Sequence, residues 1–208
     1  MYPAVKRVLD LVAAAAGLLC LLPLLALIAI LIKLDSPGPI LFCSHRLGKD
    51  GKPFVMYKFR SMRPNAPSIR NADGSAFAGK RDPRITRLGR FLREFSLDEL
   101  PQLWNVLTGE MSLIGPRPDE LEEAKYYDDL FRAKLRVRPG LTNLPAVRGR
   151  NSLPWRKRAE LDRYYVEHLS FRLDLEILLK TPFAVLSRSG IYTPDGRPSL
   201  ETPQRSGA

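Results

Sequence analysis

Residues 11–32, LVAAAAGLLCLLPLLALIAILI, are 22 consecutive positions without a charge, and thirteen of them are Leu, Ile or Val. An apolar run of more than about 18 residues reads as a bilayer helix. At about 0.5 kcal/mol for each large aliphatic side chain, its insertion is favoured by several kcal/mol. A cleaved leader fits poorly: the run is longer than the usual apolar region, and KLDSPGP after it lacks a small-x-small cleavage pattern. The segment therefore belongs in lipid. The rest of the 208-residue chain must fold beside it as one domain of ordinary size.

Leu22-Pro23 stands in the middle of this run. Pro23 has no N–H to offer the Leu19 carbonyl and its ring presses on that carbonyl, so the helix is expected to break or kink there. The stretches 11–22 and 24–32 measure about 18 and 14 Å at 1.5 Å per residue, each short of a core about 30 Å thick. A strong bend makes a re-entrant wedge, and a mild one a kinked spanning helix. Lys6 and Arg7 precede the segment and Lys33 follows it, whereas spanning helices usually show charge asymmetry. Physics alone leaves both topologies open.

A net charge of +11 and a pI near 9.9 point to anionic partners: nucleic acid, an acidic membrane surface or phosphorylated small molecules. With 45% hydrophobic residues the chain is not disordered. Cys20, Cys43, His45 and His168 have neither a disulfide pattern nor zinc-ligand spacing, and a reducing cytoplasm suits them. No G-x-G-x-x-G, G-x-x-x-x-G-K-[ST], H-E-x-x-H or D-x-D occurs. That weighs against Rossmann, P-loop and common metal-dependent glycosyltransferase sites. A membrane-tethered nucleic-acid binder or an interfacial scaffold would share the charge, yet no helix-turn-helix, RNP-like or zinc signature is present, and no nucleic-acid partner is expected.

After DSPGP, the stretches 40–46 and 54–60 flank an Asp50-Gly51 turn and predict a β-hairpin. Alternation on the second strand puts Met56, Lys58 and Arg60 on one face, where two cations can grip an anion together. Residues 63–83 read as a long polar loop. Helical patterns follow over 84–95, 98–107, 118–135, 154–169 and 174–189. The last two are amphipathic, with apolar stripes bordered by Arg156, Lys157, Arg158, Arg163, Lys180 and Arg188, suited to a core or a membrane surface. The fold class is a helix-dominated α/β with a small hairpin. It divides into a membrane helix over 1–35, a domain over 36–190 and a flexible tail over 191–208.

Within this basic chain SLDELPQLWNVLTGEMSLIGPRP, residues 96–118, holds the acidic pair Asp98-Glu99. One reading is helix capping: Ser96 and Glu99 stand in S-x-x-E spacing, and Pro101 requires a helix start near Asp98. The other is chemical. A helix start attracts phosphate, a carboxylate held there with a divalent metal can approach phosphorus, and carboxylates form acyl phosphates as nucleophiles. Lys58, Arg60, Arg93, Arg117, Arg138 and Arg150 would neutralise a diphosphate.

SPGPILF, GKPFVMYKFRSM, FSLDELPQLWNVLTGEMSLIGPRP and RPGLTNLPAVRGRN together resemble the bacterial sugar transferases, the monotopic phosphoglycosyl transferases, in a chain the size of their minimal catalytic form. The resemblance implies transfer of a sugar-1-phosphate from a UDP-sugar to polyprenol (undecaprenyl) phosphate, with Mg²⁺, giving polyprenol-diphosphate-sugar and UMP. This is a first membrane step of O-antigen, capsule, exopolysaccharide or glycoprotein-glycan assembly, upstream of further glycosyltransferases. It implies Asp98 as the nucleophile that carries a phospho-sugar, and Asp98 and Glu99 as the Mg²⁺ pair. It matches Lys58, Arg60, Arg93, Arg117, Arg150 and Asp174 to diphosphate, nucleotide or supporting positions; Arg138 is added from charge and position alone. It also implies a re-entrant helix in the bacterial inner membrane, membrane lipids as partners, interfacial amphipathic helices and a cytoplasmic active site. The chain departs from the family pattern at Leu22-Pro23, usually Ser-Pro, at Asn143 and Ala146, usually Gly and Gln, and at Ser44-His45.

Overall fold

The computed structural model describes residues 2–67, 69, 79 and 82–192. Much of the polar loop expected over 63–83 and nearly all of the tail expected from 191 lie outside these residues. Helix α1, Tyr2–Asp35, runs 34 residues with Pro23 inside it. Helical structure thus carries on through Leu22-Pro23, where a break was expected. A proline within a helix removes one hydrogen bond and kinks the path without having to end it.

A stripe at three- and four-residue spacing, through Asp10, Ala14, Leu18, Leu21, Leu25, Ile28 and Ile32, faces the rest of the protein. Val8, Val12, Leu19, Leu22, Leu27 and Ile30 point outward. The N-terminal half packs by Ala14 on Phe54, Met56, Leu103, Val106 and Met111. The C-terminal half packs by Ile28 and Ile32 on Phe59 and Leu92.

Both ends of α1 are also tied down by polar contacts. Asp10 accepts from Ser112 Oγ at 2.8 Å and from the Leu113 N–H at 3.1 Å, and Arg7 donates to the carbonyls of Val106 and Leu107. At the other end Arg60 donates to the carbonyls of Ile32, Ser36 and Pro37. The last carbonyls of a helix have no partner within it, and this guanidinium supplies one.

Strands β1 (Leu41–Leu47) and β2 (Pro53–Phe59) form the expected antiparallel hairpin, with Cys43 opposite Tyr57 and a left-handed Asp50-Gly51 turn. Helix α2 (Arg87–Glu94) is capped by Thr86, and helix α3 (Gln102–Thr108) ends at Gly109, whose φ is 92°. Asn105 of α3 is fully buried and bonds β2 twice, accepting from the Tyr57 N–H and donating to the Val55 carbonyl. It fixes the hairpin to the helix that follows the acidic pair.

Two three-residue strands, β3 (Ser112–Ile114) and β4 (Gly140–Thr142), pair in parallel, an element the sequence pattern did not announce. Their approach requires glycine: a Cβ on Gly140 would stand 2.1 Å from the Gly115 nitrogen. The single helix expected over 118–135 is instead a 3-10 turn at Leu121–Tyr126, helix α4 (Asp129–Arg132) and a second 3-10 turn at Ala133–Arg136. Asp128 restarts the path by accepting from the N–H groups of Leu130 and Phe131. Helix α5 (Leu144–Arg148) is capped by Asn143. Helices α6 (Trp155–Glu167) and α7 (Phe171–Leu186) follow where expected, and α7 exposes Phe171, Leu178, Leu179, Phe183 and Leu186.

Candidate active site

Asp98 and Glu99 sit in a 3-10 turn, Leu97–Glu99, between α2 and α3. Ser96 enters it in the left-handed region, φ 55°, with its hydroxyl capping nothing. The S-x-x-E pattern is therefore not a capping box here, because Glu99 turns away toward Lys58 and Arg117. Positions three apart share a face of a 3-10 turn. Leu97 and Leu100 use that face to pack against Ile28, Ile32, Phe59 and Leu92. The acidic pair is left to face a cavity of about 1020 Å³. Helix α1 thus fixes the turn that presents the carboxylates.

Glu99 Oε1 receives Lys58 Nζ at 2.7 Å and Arg117 Nη1 at 3.3 Å. Burial works against its ionisation, but Lys58 and Arg117 outweigh that and hold it down at about 2. Asp98 is 7% exposed and, among the described residues, makes no hydrogen bond or ion pair. Burial pushes it up to about 6; Lys58, Arg93 and Arg117 pull the other way, and Glu99 adds to the rise. Two adjacent carboxylates driven in opposite directions mark two roles. Glu99 is a fixed anion, and Asp98 is a desolvated carboxylate that no hydrogen bond or ion pair engages among the described residues.

Lys58, Arg93, Arg117 and Arg150 all line this cavity with the pair. Arg93 donates to Ser61 Oγ at 2.8 Å, which holds its guanidinium beside Asp98. Arg150 stands in the left-handed region at φ 54°, and its charge is felt with those of Glu99 and Arg117. Three expected residues do otherwise. Arg60 lies one residue past β2 and does not share the grip of Lys58; it lines the wall while spending its guanidinium on the end of α1. Arg138 donates to the Gly109 carbonyl at 2.8 Å, away from the cavity. Asp174 is also off the cavity wall. It accepts from Lys6 at 2.8 Å, Tyr165 OH at 2.7 Å and Tyr2 OH.

Sequence reading missed Trp155, Arg158, Asp162 and Tyr192, which also line the cavity. The i, i+3, i+7 spacing of the first three on α6 was the available signal, but in this segment only the apolar stripe was read, with Arg158 taken as a cation at its border.

Asp98 and Glu99 are suited to Mg²⁺ in one way only. Among the described residues no group of three or more His, Cys, Asp and Glu gathers to cage a metal. Mg²⁺ is commonly held by one or two carboxylates with substrate phosphates completing its shell. An unpartnered buried carboxylate beside a second one matches that donor set.

A family model described as bacterial sugar transferase matches residues 1–188. The chain belongs to the bacterial sugar transferase family. It is 43% identical over 202 residues to a UDP-galactose-lipid carrier transferase of Erwinia amylovora, an alignment covering 90% of this chain and 41% of that one. It is 43% identical over 197 residues to the UDP-glucose:undecaprenyl-phosphate glucose-1-phosphate transferase of Caulobacter vibrioides, covering 90% and 72%. It is 41% identical over 194 residues to the exopolysaccharide production protein PSS of Rhizobium leguminosarum bv. phaseoli, covering 88% and 96%. The chain spans about two-fifths of the length of the Erwinia relative, 72% of the Caulobacter one and nearly all of the Rhizobium one. The residues matched by the family model, 1–188, include α1, Asp98 and Glu99 and most of the residues that line the cavity.

Proposed function

We propose that this protein transfers a sugar-1-phosphate from a UDP-sugar to polyprenol phosphate through a covalent phospho-sugar on Asp98. The observation that carries this is the state of Asp98: a buried carboxylate without a hydrogen bond among the described residues, in a cavity that Lys58, Arg93, Arg117 and Arg150 also line. An Asp98 oxygen attacks the β-phosphorus, the P–O bond to the α-phosphate breaks, and UMP departs with that electron pair. A phosphate oxygen of polyprenol phosphate then attacks the same phosphorus and frees the carboxylate. The four cations offset the repulsion between the carboxylate and the diphosphate, and Glu99 keeps Lys58 and Arg117 in place. Mg²⁺, held by Asp98 and Glu99, would supply further neutralisation of the diphosphate. The names of the Erwinia and Caulobacter relatives support this reaction class.

The direct test mixes the detergent-purified protein with a panel of UDP-hexoses and UDP-N-acetylhexosamines and follows UMP. One equivalent of UMP and a mass gain of one phospho-sugar are expected before any acceptor is added, with continuous turnover once undecaprenyl phosphate is present. If the chain hydrolyses or binds none of these donors, the reading is wrong. A mass that never shifts during turnover argues for direct transfer.

We further propose that α1 enters and leaves one leaflet on the cytoplasmic side of the bacterial inner membrane. Supporting this, both ends of α1 are bonded to the same folded body, through Asp10 and Ser112 at one end and Arg60 and Ile32 at the other. A spanning helix would separate those ends by a bilayer. The exposed apolar face of α7 suits the adjoining interface. With Cys20 and Cys43 replaced by alanine, cysteines at Ala4 and Asp35 should both be labelled by an impermeant reagent from the same side of sealed vesicles. Labelling from opposite sides would show a spanning helix.

A further inference from the structure

The cavity does not end at the phosphate-binding cations. Beyond Arg117 its wall is made by one face of α6, where Trp155, Arg158, Ala159 and Asp162 recur at i, i+3, i+4 and i+7, together with Asp119 and Lys134. Lys134 Nζ lies between Asp119 Oδ2 at 2.8 Å and Asp162 Oδ2 at 3.2 Å, and Tyr127 OH donates to Asp119 at 2.6 Å. These contacts fasten α6 to the segment after Pro118. They leave two groups unused. Asp162, 3% exposed, has an Oδ1 without a hydrogen-bond partner, and so has the buried Nε of Arg158. Fastening alone gives no reason to keep them, since a buried polar atom left unpaired costs about 1–3 kcal/mol.

At this end Asp119, Glu120, Glu123 and Asp162 stand against Arg46, Lys134 and Arg158, so it holds no excess of cations to attract phosphate. The excess of cations lies at the other end, around Asp98. A hydroxyl group both donates and accepts. It can give a proton to Asp162 Oδ1 and take one from Arg158 Nε, which neither a phosphate nor an alkyl chain can do. Trp155, packed on Phe131 with ring centroids 4.5 Å apart, adds a rigid aromatic wall for the apolar face of a ring. Arg117 lies between the two ends, bonded to Glu99 and close enough for its charge to be felt with that of Asp119. A ring carried on the phosphorus that meets Asp98 would reach just past it.

We propose that the Trp155–Asp162 face of α6 is the subsite that reads the sugar of the donor, with Arg158 and Asp162 as specificity-determining residues. This rests on the transfer reaction proposed above, and the wild-type protein separates the two claims: if it turns over no UDP-sugar, the reaction has failed before the subsite is tested. With turnover established, Arg158→Gln and Asp162→Asn are compared with wild type on UDP-sugars that differ at one hydroxyl or acetamido group, with UMP inhibition measured alongside. The expected result is a change of about tenfold or more in the ratio of kcat/KM between such donors, with UMP inhibition held within about twofold. A common factor on every donor would reduce the pair to packing. Weaker UMP inhibition in parallel would assign this end to the nucleoside instead. Should the variants not fold, Trp104→Phe leaves Trp155 as the sole tryptophan. Its emission should respond to saturating UDP-sugar and not to saturating UMP, and an equal response to both overturns the subsite.

Discussion

Asp98→Asn is expected to lower turnover by about 10⁴-fold or more, to prevent the phospho-sugar mass gain and to leave UDP-sugar binding largely intact. The side chains have the same shape, but the amide offers no anionic oxygen to phosphorus. The same substitution should make the metal-free protein more stable at neutral pH. Asp98 rises from an ordinary 3.8 to about 6 because it is buried, so between these values the folded state keeps a proton that the unfolded chain releases. Stability therefore falls as pH rises through that window, and the loss is complete above it. At about 1.4 kcal/mol per pH unit, the penalty at neutral pH reaches as much as about 3 kcal/mol. The neutral amide of the variant carries no such penalty. Thermal unfolding in EDTA should give the variant the higher midpoint at pH 7.5, with the gap closing as pH falls toward 4. A variant that is less stable at pH 7.5 would mean that Asp98 is stabilised as an anion by contacts it lacks here. Glu99 behaves oppositely: held at about 2, it contributes stability above its ordinary 4.5 that is lost as pH falls through that range. One carboxylate supports the fold while its neighbour burdens it, a division expected where the burdened group serves the chemistry.

The place of the pair was legible in the sequence, because Pro101 requires a helix start beside it. The division between the two carboxylates was not, since it depends on the packing of Leu97 and Leu100 on α1 and on where Lys58 and Arg117 end. The hairpin follows from Asp50-Gly51, and α6 and α7 from their apolar spacing. What sequence could not give is where long side chains end. Lys58 and Arg60 are two residues apart, yet the strand stops at Phe59 and Arg60 reaches the open end of α1. That outcome depends on a helix entering from far along the chain. Strands β3 and β4 are three residues each, too short to show a period, and their pairing needs Gly115 and Gly140 to meet across 25 positions. The unused atoms of Arg158 and Asp162 are likewise invisible until Lys134 and Asp119 have taken their share.

Asp174→Ala is expected to cost about 3–5 kcal/mol of stability while leaving the kcat and KM of the folded fraction near wild type. Motif position grouped Asp174 with the diphosphate site, but its carboxylate is 5% exposed and receives Lys6, Tyr165 and Tyr2, none of which lines the cavity. Truncation leaves the Lys6 ammonium, with a side chain only 12% exposed, without its nearer counter-ion, Asp10 being 3.7 Å away. The buried Tyr165 hydroxyl keeps only the Ile114 carbonyl. Leaving a buried charge unpaired is more damaging than the pair was helpful. The effect should therefore appear as a lower unfolding midpoint, a poorer yield in membranes and an N-terminal stretch of α1 that proteases reach. Asp174→Asn, which can still accept from both tyrosines but carries no charge, should lose less. If either variant instead raises KM for UDP-sugar about tenfold at unchanged stability, Asp174 acts on the substrate and α1 is held by its other contacts. Otherwise the carboxylate belongs to the attachment of α1, the helix against whose other end Leu97 and Leu100 are seated so that Asp98 faces the cavity.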